Sequence, residues 1–430
     1  MIAGISPHTP VLIVGAGPAG ATAARALALA GVPVRLLDRA AFPRNKPCGG
    51  GISVRVLARF PYLERALPRI ATHAVARLYL EGPDGQATVI ESEGPAALMI
   101  RRVEFDALLV SLAQEAGADL VTGADIIQAT EDCDAVRLTT RDGRSFEAPV
   151  VIAADGVHSV VARRLGMNRG WAASAVALDM MEETPRAALR DLDPSTLWVA
   201  YGFNPAGSQA VKGHKAAEGY AYIFPKRDHV NIGIGYVLSH YREAVDAAPY
   251  DLQRRFVAAL RDRGIVAGDS VRKNFTPFLI PVGGPLRRPG RGRVLLAGDA
   301  GGFVNGFTAE GIYYAMVSGE LAAQAVGGAP DVSRLARRYR RACDYEIGAE
   351  LRDSVLIQRY LFADRRRIAR VIDGAHREPA ITRSILDFAA GRRTYRDLRR
   401  RLLAGAPLLG GRLVWERFRK NFVVRRAQPS

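Results

Sequence analysis

The apolar run Val11-Leu12-Ile13-Val14 stops at Gly15, an alanine-rich stretch extends to Gly31, and a second run, Pro33-Val34-Arg35-Leu36-Leu37, ends at Asp38. Short unbroken apolar runs bounded by glycine are the pattern of strands covered on both faces, and the alanine-rich stretch between them is long enough for a helix. The pattern predicts strand, tight turn, helix and strand, with Gly31 as the helix stop. The same kind of run recurs at Val150-Val151-Ile152-Ala153-Ala154 before Asp155-Gly156, and at Val294-Leu295-Leu296-Ala297 before Gly298-Asp299.

Elsewhere the period changes. Residues 71–99 alternate about turns at Gly82-Pro83 and Asp84-Gly85, which is hairpin material. A helix follows, carrying Arg102, Phe105, Asp106, Leu109 and Leu112 up to Gly117. Residues 171–289 are rich in short alternating strands, turns and aromatics, a further helix starts at about Glu310, and residues beyond 331 read as helical and arginine-rich. The expected fold is α/β, in two lobes and a tail. A discontinuous Rossmann-like domain takes residues 1–170 and 290–330, an antiparallel-sheet substrate domain of residues 171–289 is inserted in it, and 331–430 form a helical basic C-terminal region. Residues 71–99 are candidates for extra strands of the inserted sheet. At 430 residues the chain exceeds the roughly 250–300 at which single cores stop growing.

Gly15-x-Gly17-x-x-Gly20 falls between the first strand and its helix, where a dinucleotide-binding turn requires it. The first glycine makes the turn, the second lets backbone approach a pyrophosphate, and the third, with Ala24, permits close packing of helix on sheet. The helix N-terminus supplies N–H groups to the phosphates, and Asp38, with Arg39 beside it, stands where a ribose hydroxyl is bound.

Lys46-Pro47-Cys48-Gly49-Gly50-Gly51 follows shortly. Three consecutive glycines let backbone lie flat against a planar ligand, and the loop adds one thiol; together they point to chemistry on a flavin, although a glycine-rich loop with an incidental cysteine is the plainer reading. In a strand Tyr220, Tyr222 and Phe224 share one face while Ala221 and Ile223 take the other. Pro225-Lys226-Arg227-Asp228 then turns, and Val230, Ile232 and Ile234 alternate on a returning strand. That aromatic face serves equally as core or as the wall of a binding site.

Composition narrows the setting. Hydrophobic residues make up 48% and the mean hydropathy is near zero. The three cysteines, Cys48, Cys133 and Cys343, are odd in number and far apart, which fits neither a disulfide framework nor a metal knot and suggests a reducing cytosol. The seven histidines show no ligand spacing, so no metal is expected. No signal peptide is expected before the first strand, and the longest apolar window contains Arg25 and the glycine motif, which excludes a membrane span there. Of the net charge of +17, ten units lie in residues 391–430, where twelve Arg or Lys meet only Asp397 and Glu416. With no basic stripe interleaved with stacking aromatics, nucleic acid is not an expected partner. Tyr395, Leu398 and Leu402 share one helical face of that tail, as do Trp415, Phe418 and Phe422, and arginines cover the rest. A cytoplasmic protein touching the inner face of a membrane through its tail is the expectation.

Gly15-Ala16-Gly17-Pro18-Ala19-Gly20, Ala154-Asp155-Gly156 and Ala297-Gly298-Asp299-Ala300, in that order and spacing, resemble the FAD-dependent oxidoreductase superfamily that contains the aromatic hydroxylases. Within it, Lys46-Pro47-Cys48-Gly49-Gly50-Gly51 is similar to the KxCGGG segment of the geranylgeranyl reductase family. Tyr220-Ala221-Tyr222-Ile223-Phe224-Pro225-Lys226 resembles that family's YxWxFPK motif, with Tyr222 where Trp is usual, and Asn305-Gly306-Phe307-Thr308-Ala309-Glu310-Gly311 resembles its SPLTGEG, with Gly306 for proline and Ala309 for glycine. The resemblance covers roughly residues 10–330. It implies FAD held by the first glycine motif, by Lys46, Gly49 and Gly50 of the thiol loop, and by Asp155. It further implies Asp299 on the ribityl chain, Arg102 beside the cofactor and the helix start at Gly311-Ile312 facing the ring. By their residues alone, Asp299 would equally cap the next helix and Arg102 pair with Glu104. The substitutions at 306 and 309 predict a looser loop.

The implied reaction is reduction of an isoprenoid C=C bond, with Tyr220, Tyr222, Phe224 and Lys226 lining the substrate pocket and Cys48 as proton donor or carbocation-side partner. NAD(P)H or reduced ferredoxin would supply electrons transiently, since no second dinucleotide fingerprint exists. Competing readings are an aromatic-type flavin monooxygenase, which normally lacks the thiol loop and FPK motif; an electron carrier to quinone, whose iron–sulfur cluster three isolated cysteines cannot hold; and a flavin sensor.

Overall fold

The structure is a computed structural model describing residues 11–188, 193–203, 219–245, 247–328 and 331–389. The tail positions Tyr395, Leu398, Leu402, Trp415, Phe418 and Phe422 lie outside the described residues. Among the described residues no helix is long and apolar enough to cross a membrane.

The buried apolar runs build a six-stranded sheet in the order Gly290–Arg291, Val294–Leu296, Val151–Ala153, Val11–Val14, Val34–Leu37, Asp119–Val121. Every pairing is parallel except that of Gly290–Arg291 with Val294–Leu296. Val14 lies opposite both Leu37 and Ala153, and Ala153 opposite Leu296. This register brings the chain out at one edge of the sheet four times, so the Gly15 turn, Asp38, Asp155 and Asp299 share that edge. Ligands of open parallel sheets bind there. Helix Pro18–Leu29 ends one residue before Ala30 and Gly31, whose φ is +69°. It crosses helix Ile312–Gly328 so closely that a Cβ on Gly319 would lie 2.1 Å from Ala19 O. Helix Arg102–Glu115 completes this layer and stops before Gly117, at φ +105°.

A second, seven-stranded sheet has the order Phe275–Ile280, Ala177–Pro185, His229–Val237, Gly219–Pro225, Thr196–Tyr201, Arg77–Glu81, Ala87–Glu91. Of residues 71–99, Arg77–Glu81 and Ala87–Glu91 join this sheet, the former parallel to Thr196–Tyr201. Thr72–Val75 and Ala97–Ile100 do not: they pair with each other, and Ala97–Ile100 pairs on its other side with Gly51–Ser53, the strand directly after the thiol loop. Strand alternation gives the large sheet two apolar faces. Met180, Trp198, Ala221, Ile223, Ile232 and Ile234 pack under helix Pro249–Asp262. On the opposite face Leu78, Leu80, Met181, Val199 and Tyr222 cluster. Helices Ala349–Phe362 and Arg365–Arg377 fold back over that second face, setting Phe362, Ile368 and Ile372 against Tyr201, Tyr220 and Phe307.

Candidate active site

At the sheet edge the first glycine motif divides its labour. A Cβ on Gly15, whose φ is +94°, would fall 2.4 Å from Ala154 O, and one on Gly20 would fall 1.9 Å from Gly15 O. Gly17 faces open space, with Arg44 Nη2 the nearest atom to its Cβ position at 3.8 Å. Helix Pro18–Leu29 begins with its first turn buried and no side chain capping it. Buried, uncapped N–H groups beside an open glycine fit the phosphates of a dinucleotide.

Asp38 braces this cradle: Oδ2 accepts the Ala16 N–H at 2.8 Å and Oδ1 the Ala40 N–H at 2.9 Å. Arg39 is exposed and turned out of the edge. The cation here is Arg44, which reaches Asp38 at 3.6 Å and Asp106 at 3.1 Å. Arg102 does not pair with Glu104; it forks onto the fully buried Asp106 at 2.7 and 2.8 Å. Burial works against the charge of Arg102, yet Asp106 and then Cys48 hold its pKa above the ordinary value. Asp155 caps helix Val160–Arg164, accepting the N–H groups of Val160 and Val161 at 2.8 and 3.2 Å. Burial raises the pKa of Asp299 against the pull of Lys46 and Arg102. One of its carboxylate oxygens lies 3.6 Å from the Cβ position of Gly311, at the start of helix Ile312–Gly328. No described residue hydrogen-bonds that carboxylate, so it is free to accept from a cofactor hydroxyl.

The thiol loop meets the aromatic face. A Cβ on Gly49 would lie 2.7 and 2.9 Å from two ring carbons of Phe224 and 3.6 Å from the Tyr222 ring. Gly50, at φ +77°, passes 2.2 Å from Ile100 O by the same measure and 3.0 Å from Lys226 Nζ. Cys48 is half-buried; its Sγ receives the Gly50 N–H at 3.4 Å and its carbonyl accepts Asn231 Nδ2 at 3.0 Å. Lys46 sits 4.6 Å from the centre of the Phe278 ring, its pKa lowered by burial and by Arg102. Lys226 is only 1% exposed and pairs with Glu183 at 2.6 Å, while Arg101 holds the other Glu183 oxygen at 2.7 Å. Burial lowers the Lys226 pKa against that partner. Lys226 is thus a buttress under Gly50, not a free group of the wall.

Phe224, Tyr222, Tyr220, Tyr201, Phe307 and Phe362 form a continuous run of rings, successive centroids 4.5, 6.0, 5.9, 5.8 and 5.8 Å apart. Tyr222 lies across Gly233 of the neighbouring strand, where a Cβ would come 2.4 Å from its hydroxyl. It can therefore reach one strand further and donate to both oxygens of Asp179, at 3.1 and 3.3 Å. Burial pushes the Asp179 pKa up to about 7, against the lowering effects of Tyr222 and Lys46. A cavity of about 30 Å³ opens beside this pair, lined by Tyr220, Gly235, Phe307 and Phe362 among others.

The loop from Asn305 to Gly311 borders the same cavity. Ala309 has φ +57°, the sole non-glycine with positive φ among the described residues, so alanine occupies the left-handed conformation that glycine adopts at low cost. The loop is closely bonded: Asn305 Oδ1 accepts the Phe307 and Thr308 N–H groups at 2.9 and 3.0 Å, and Gly306 N–H donates to Ser354 at 2.8 Å. Arg55, at the start of the short helix Arg55–Arg59 that follows strand Gly51–Ser53, then clasps Glu310 at 3.0 Å and Glu350 at 2.9 Å, tying this loop and helix Ala349–Phe362 to that segment.

A model of the FAD binding domain family matches residues 8–319. The chain is 31% identical over 360 residues to the chloroplastic geranylgeranyl diphosphate reductase of Oryza sativa, spanning 76% of this chain and 70% of that one. The chain belongs to the geranylgeranyl reductase family of FAD-dependent oxidoreductases. It is also 32% identical over 350 residues to the menaquinone reductase of Mycobacterium tuberculosis, across 78% and 82% of the two chains. The fold is shared with a geranylgeranyl bacteriochlorophyll reductase-like protein of Thermoplasma acidophilum, at a TM-score of 0.74 and 20% identity over 92% of this chain and 98% of the other.

Several residues of this candidate site escape motif reading: Arg44, Asp106, Asp179, Glu183, Asn231 and the Arg55 clasp. One signal was available. Gly233 and Gly235 alternate with Ile232 and Ile234, leaving one face of that strand without side chains at two successive positions. A bare strip beside Tyr222 marks where a ring can cross.

Proposed function

We propose that the protein saturates C=C bonds of an isoprenoid chain, a geranylgeranyl or other polyprenyl group. The observation that carries this reading is the packing of the thiol loop on the aromatic wall, with Gly49 against the rings of Phe224 and Tyr222. Cys48, the neighbour of Gly49, is thereby held beside an apolar wall of rings. Burying hydrocarbon contributes about 0.8 kcal/mol per CH₂, so such a wall binds a prenyl chain with few polar contacts. The relatives named for geranylgeranyl diphosphate and menaquinone support the substrate class, since both compounds carry isoprenoid chains.

FAD, when bound and reduced, would supply hydride to one carbon of the double bond. Gly15, Gly17, Gly20 and the first turn of helix Pro18–Leu29 would hold its phosphates, Asp38 and Arg44 its ribose end, and Asp299 its ribityl chain. Lys46, Gly49, Gly50, Arg102 and the helix start at Gly311-Ile312 would border the ring. The N-terminus of helix Ile312–Gly328 favours negative charge placed there. Cys48 acts at the chemical step, between the loop and the wall. Phe307 and Phe362 line the cavity at the far end of the run of rings. NAD(P)H or reduced ferredoxin supplies electrons from outside, and the basic tail holds the protein at an anionic membrane surface.

Incubation with a total lipid extract under dithionite tests the reading. Products two mass units heavier than a prenyl lipid support it; unchanged lipid there, with hydroxylated products and consumption of NAD(P)H and oxygen in a parallel incubation in air without dithionite, would assign the protein to the monooxygenases instead.

A further inference from the structure

Among the described residues Asp179 is the one acid on the ring-lined face that borders the cavity, and its surroundings are unusual for a carboxylate. It is 7% exposed. The charge of Lys46 reaches it, but no ion pair to it forms among the described residues, and its carboxyl oxygens are bonded by the Tyr222 hydroxyl alone among described side chains. An ionised carboxylate without a paired cation is costly to bury, so the group stays neutral at a site of this kind. The sheet is built to keep it there. Asp179 lies opposite Gly235, and Tyr222 opposite Gly233, so the strand between them carries no side chain that would part the two. Since the Tyr222 O–H donates to Asp179, the carboxyl proton of Asp179 is left to point elsewhere, and the cavity it lines is the open direction.

Building on the reductase reading, we propose that Asp179 is the general acid of the reaction and Tyr222 the residue that positions it. The π pair of the substrate C=C takes the Asp179 carboxyl proton at one carbon, and the other carbon takes hydride from the reduced flavin, which is oxidised by two electrons. Asp179 is left as carboxylate and regains its proton from water. Its elevated pKa, about 7, suits an acid working near neutrality. The titratable groups facing it are Tyr222 and Tyr220 on the wall and Lys46 on the thiol loop, with Cys48 near both tyrosines. Gln358 and Phe362, across the cavity, are neutral.

The test uses the flavin-loaded full chain with a prenyl lipid. Turnover of the wild type should be level at acid pH and fall tenfold per pH unit above about 7. Asp179→Asn, which still accepts from Tyr222, should lower kcat by about 100-fold or more with little change in KM, and the alkaline fall should vanish. Cys48→Ala should keep that fall whatever its rate. Tyr222→Phe removes the hydrogen bond that favours the Asp179 carboxylate, so the fall should move to higher pH; Tyr222→Trp keeps an N–H donor. Infrared spectra of the protein without substrate give a readout apart from activity: a protonated-carboxyl band should titrate away near pH 7 in the wild type and be missing in Asp179→Asn. Should Asp179→Asn not fold, the Tyr222→Phe shift and the wild-type band decide. An active wild type whose Asp179→Asn variant keeps both its kcat and its alkaline fall, or a Tyr222→Phe limb that does not move, overturns the acid. A wild type that reduces no prenyl lipid instead overturns the reaction on which it rests.

Discussion

Two glycine loops serve this molecule, and their glycines are demanded by different things. In Gly15–Gly20 an added Cβ at either end of the motif strikes backbone, Ala154 O or Gly15 O, while the middle position stands open. In Gly49–Gly51 the clashes are mixed: at Gly49 a Cβ strikes the Phe224 ring, while at Gly50 it strikes backbone, Ile100 O, with the Lys226 ammonium 3.0 Å away. The first loop is shaped by how helix and sheet must meet, which any dinucleotide-binding fold shares. The second is shaped, at Gly49, by the particular wall it touches. Backbone does not yield, whereas rings turn; substitutions at Gly20 and at Gly49 should therefore fail in different ways.

The largest effect is expected in the first loop. Gly20→Ala should prevent folding or destabilise the apoprotein by more than about 3 kcal/mol, since its Cβ would have to displace main chain. Gly17→Val should leave the fold intact and abolish FAD binding, because its side chain fills the open cradle. Circular dichroism and the flavin absorbance of the purified proteins separate the two; a yellow, fully flavinated Gly17→Val protein contradicts the assignment.

Next comes the second loop. Gly49→Ala should bind FAD and lose at least tenfold in lipid reduction, with about 1–3 kcal/mol of overpacking strain as the rings shift. If reduction survives unchanged while flavin binding drops, the thiol loop serves the cofactor alone.

Asp179 offers a pH test of the wall that needs no substrate. Its folded pKa, about 7, lies above its ordinary value of 3.8, so the folded chain holds a proton that the unfolded chain releases. The stability carried by this group is present below about pH 4, declines as pH rises and is lost above about 7. Asp179→Asn has no such titration, so its melting temperature should gain on the wild type steadily from pH 4 to pH 7. A gap that stays constant across that range would mean that Asp179 is ionised in the fold.

The smallest effect concerns Ala309. Ala309→Gly relieves the left-handed alanine and should add up to about 1 kcal/mol to stability, read as a modest rise in denaturation midpoint with FAD content unchanged. A loss of stability would show that the alanine methyl packs for more than its backbone costs.

How far these features could be read from the sequence follows the same division. The first loop was legible because its requirements are local: strand, glycine spacing, helix and Asp38 lie within about thirty residues, and the parallel register then gathers Asp155 and Asp299 to the same edge. The aromatic wall was legible for the same reason, as alternation alone puts Ala221 and Ile223 under helix Pro249–Asp262. What sequence could not supply was pairing across strands. Asp179 looks like any surface acid of an alternating strand until the register sets it against Gly235. Lys226 reads as a wall residue until Glu183 appears beneath it, and Arg39 and Arg44 are indistinguishable until the turn after Asp38 exposes one and folds the other onto Asp106. The loop expected to loosen through Gly306 and Ala309 is instead bonded through Asn305 and Ser354. Gly306 has reason to be glycine, since a Cβ there would meet Val282 O and Val355 at 2.9 Å.

The central claim is that thiol loop and aromatic wall form one site for reducing a prenyl double bond. The most direct measurement is mass spectrometry of a polyprenyl lipid after incubation with the dithionite-reduced protein, run in parallel for wild type and Cys48→Ala. The account predicts products heavier by two mass units per double bond from the wild type, and a marked loss of them in Cys48→Ala although its bound FAD still bleaches with dithionite. Undiminished lipid reduction by Cys48→Ala would make the thiol a packing residue, and unchanged lipid from a fully reduced wild type would contradict the account itself.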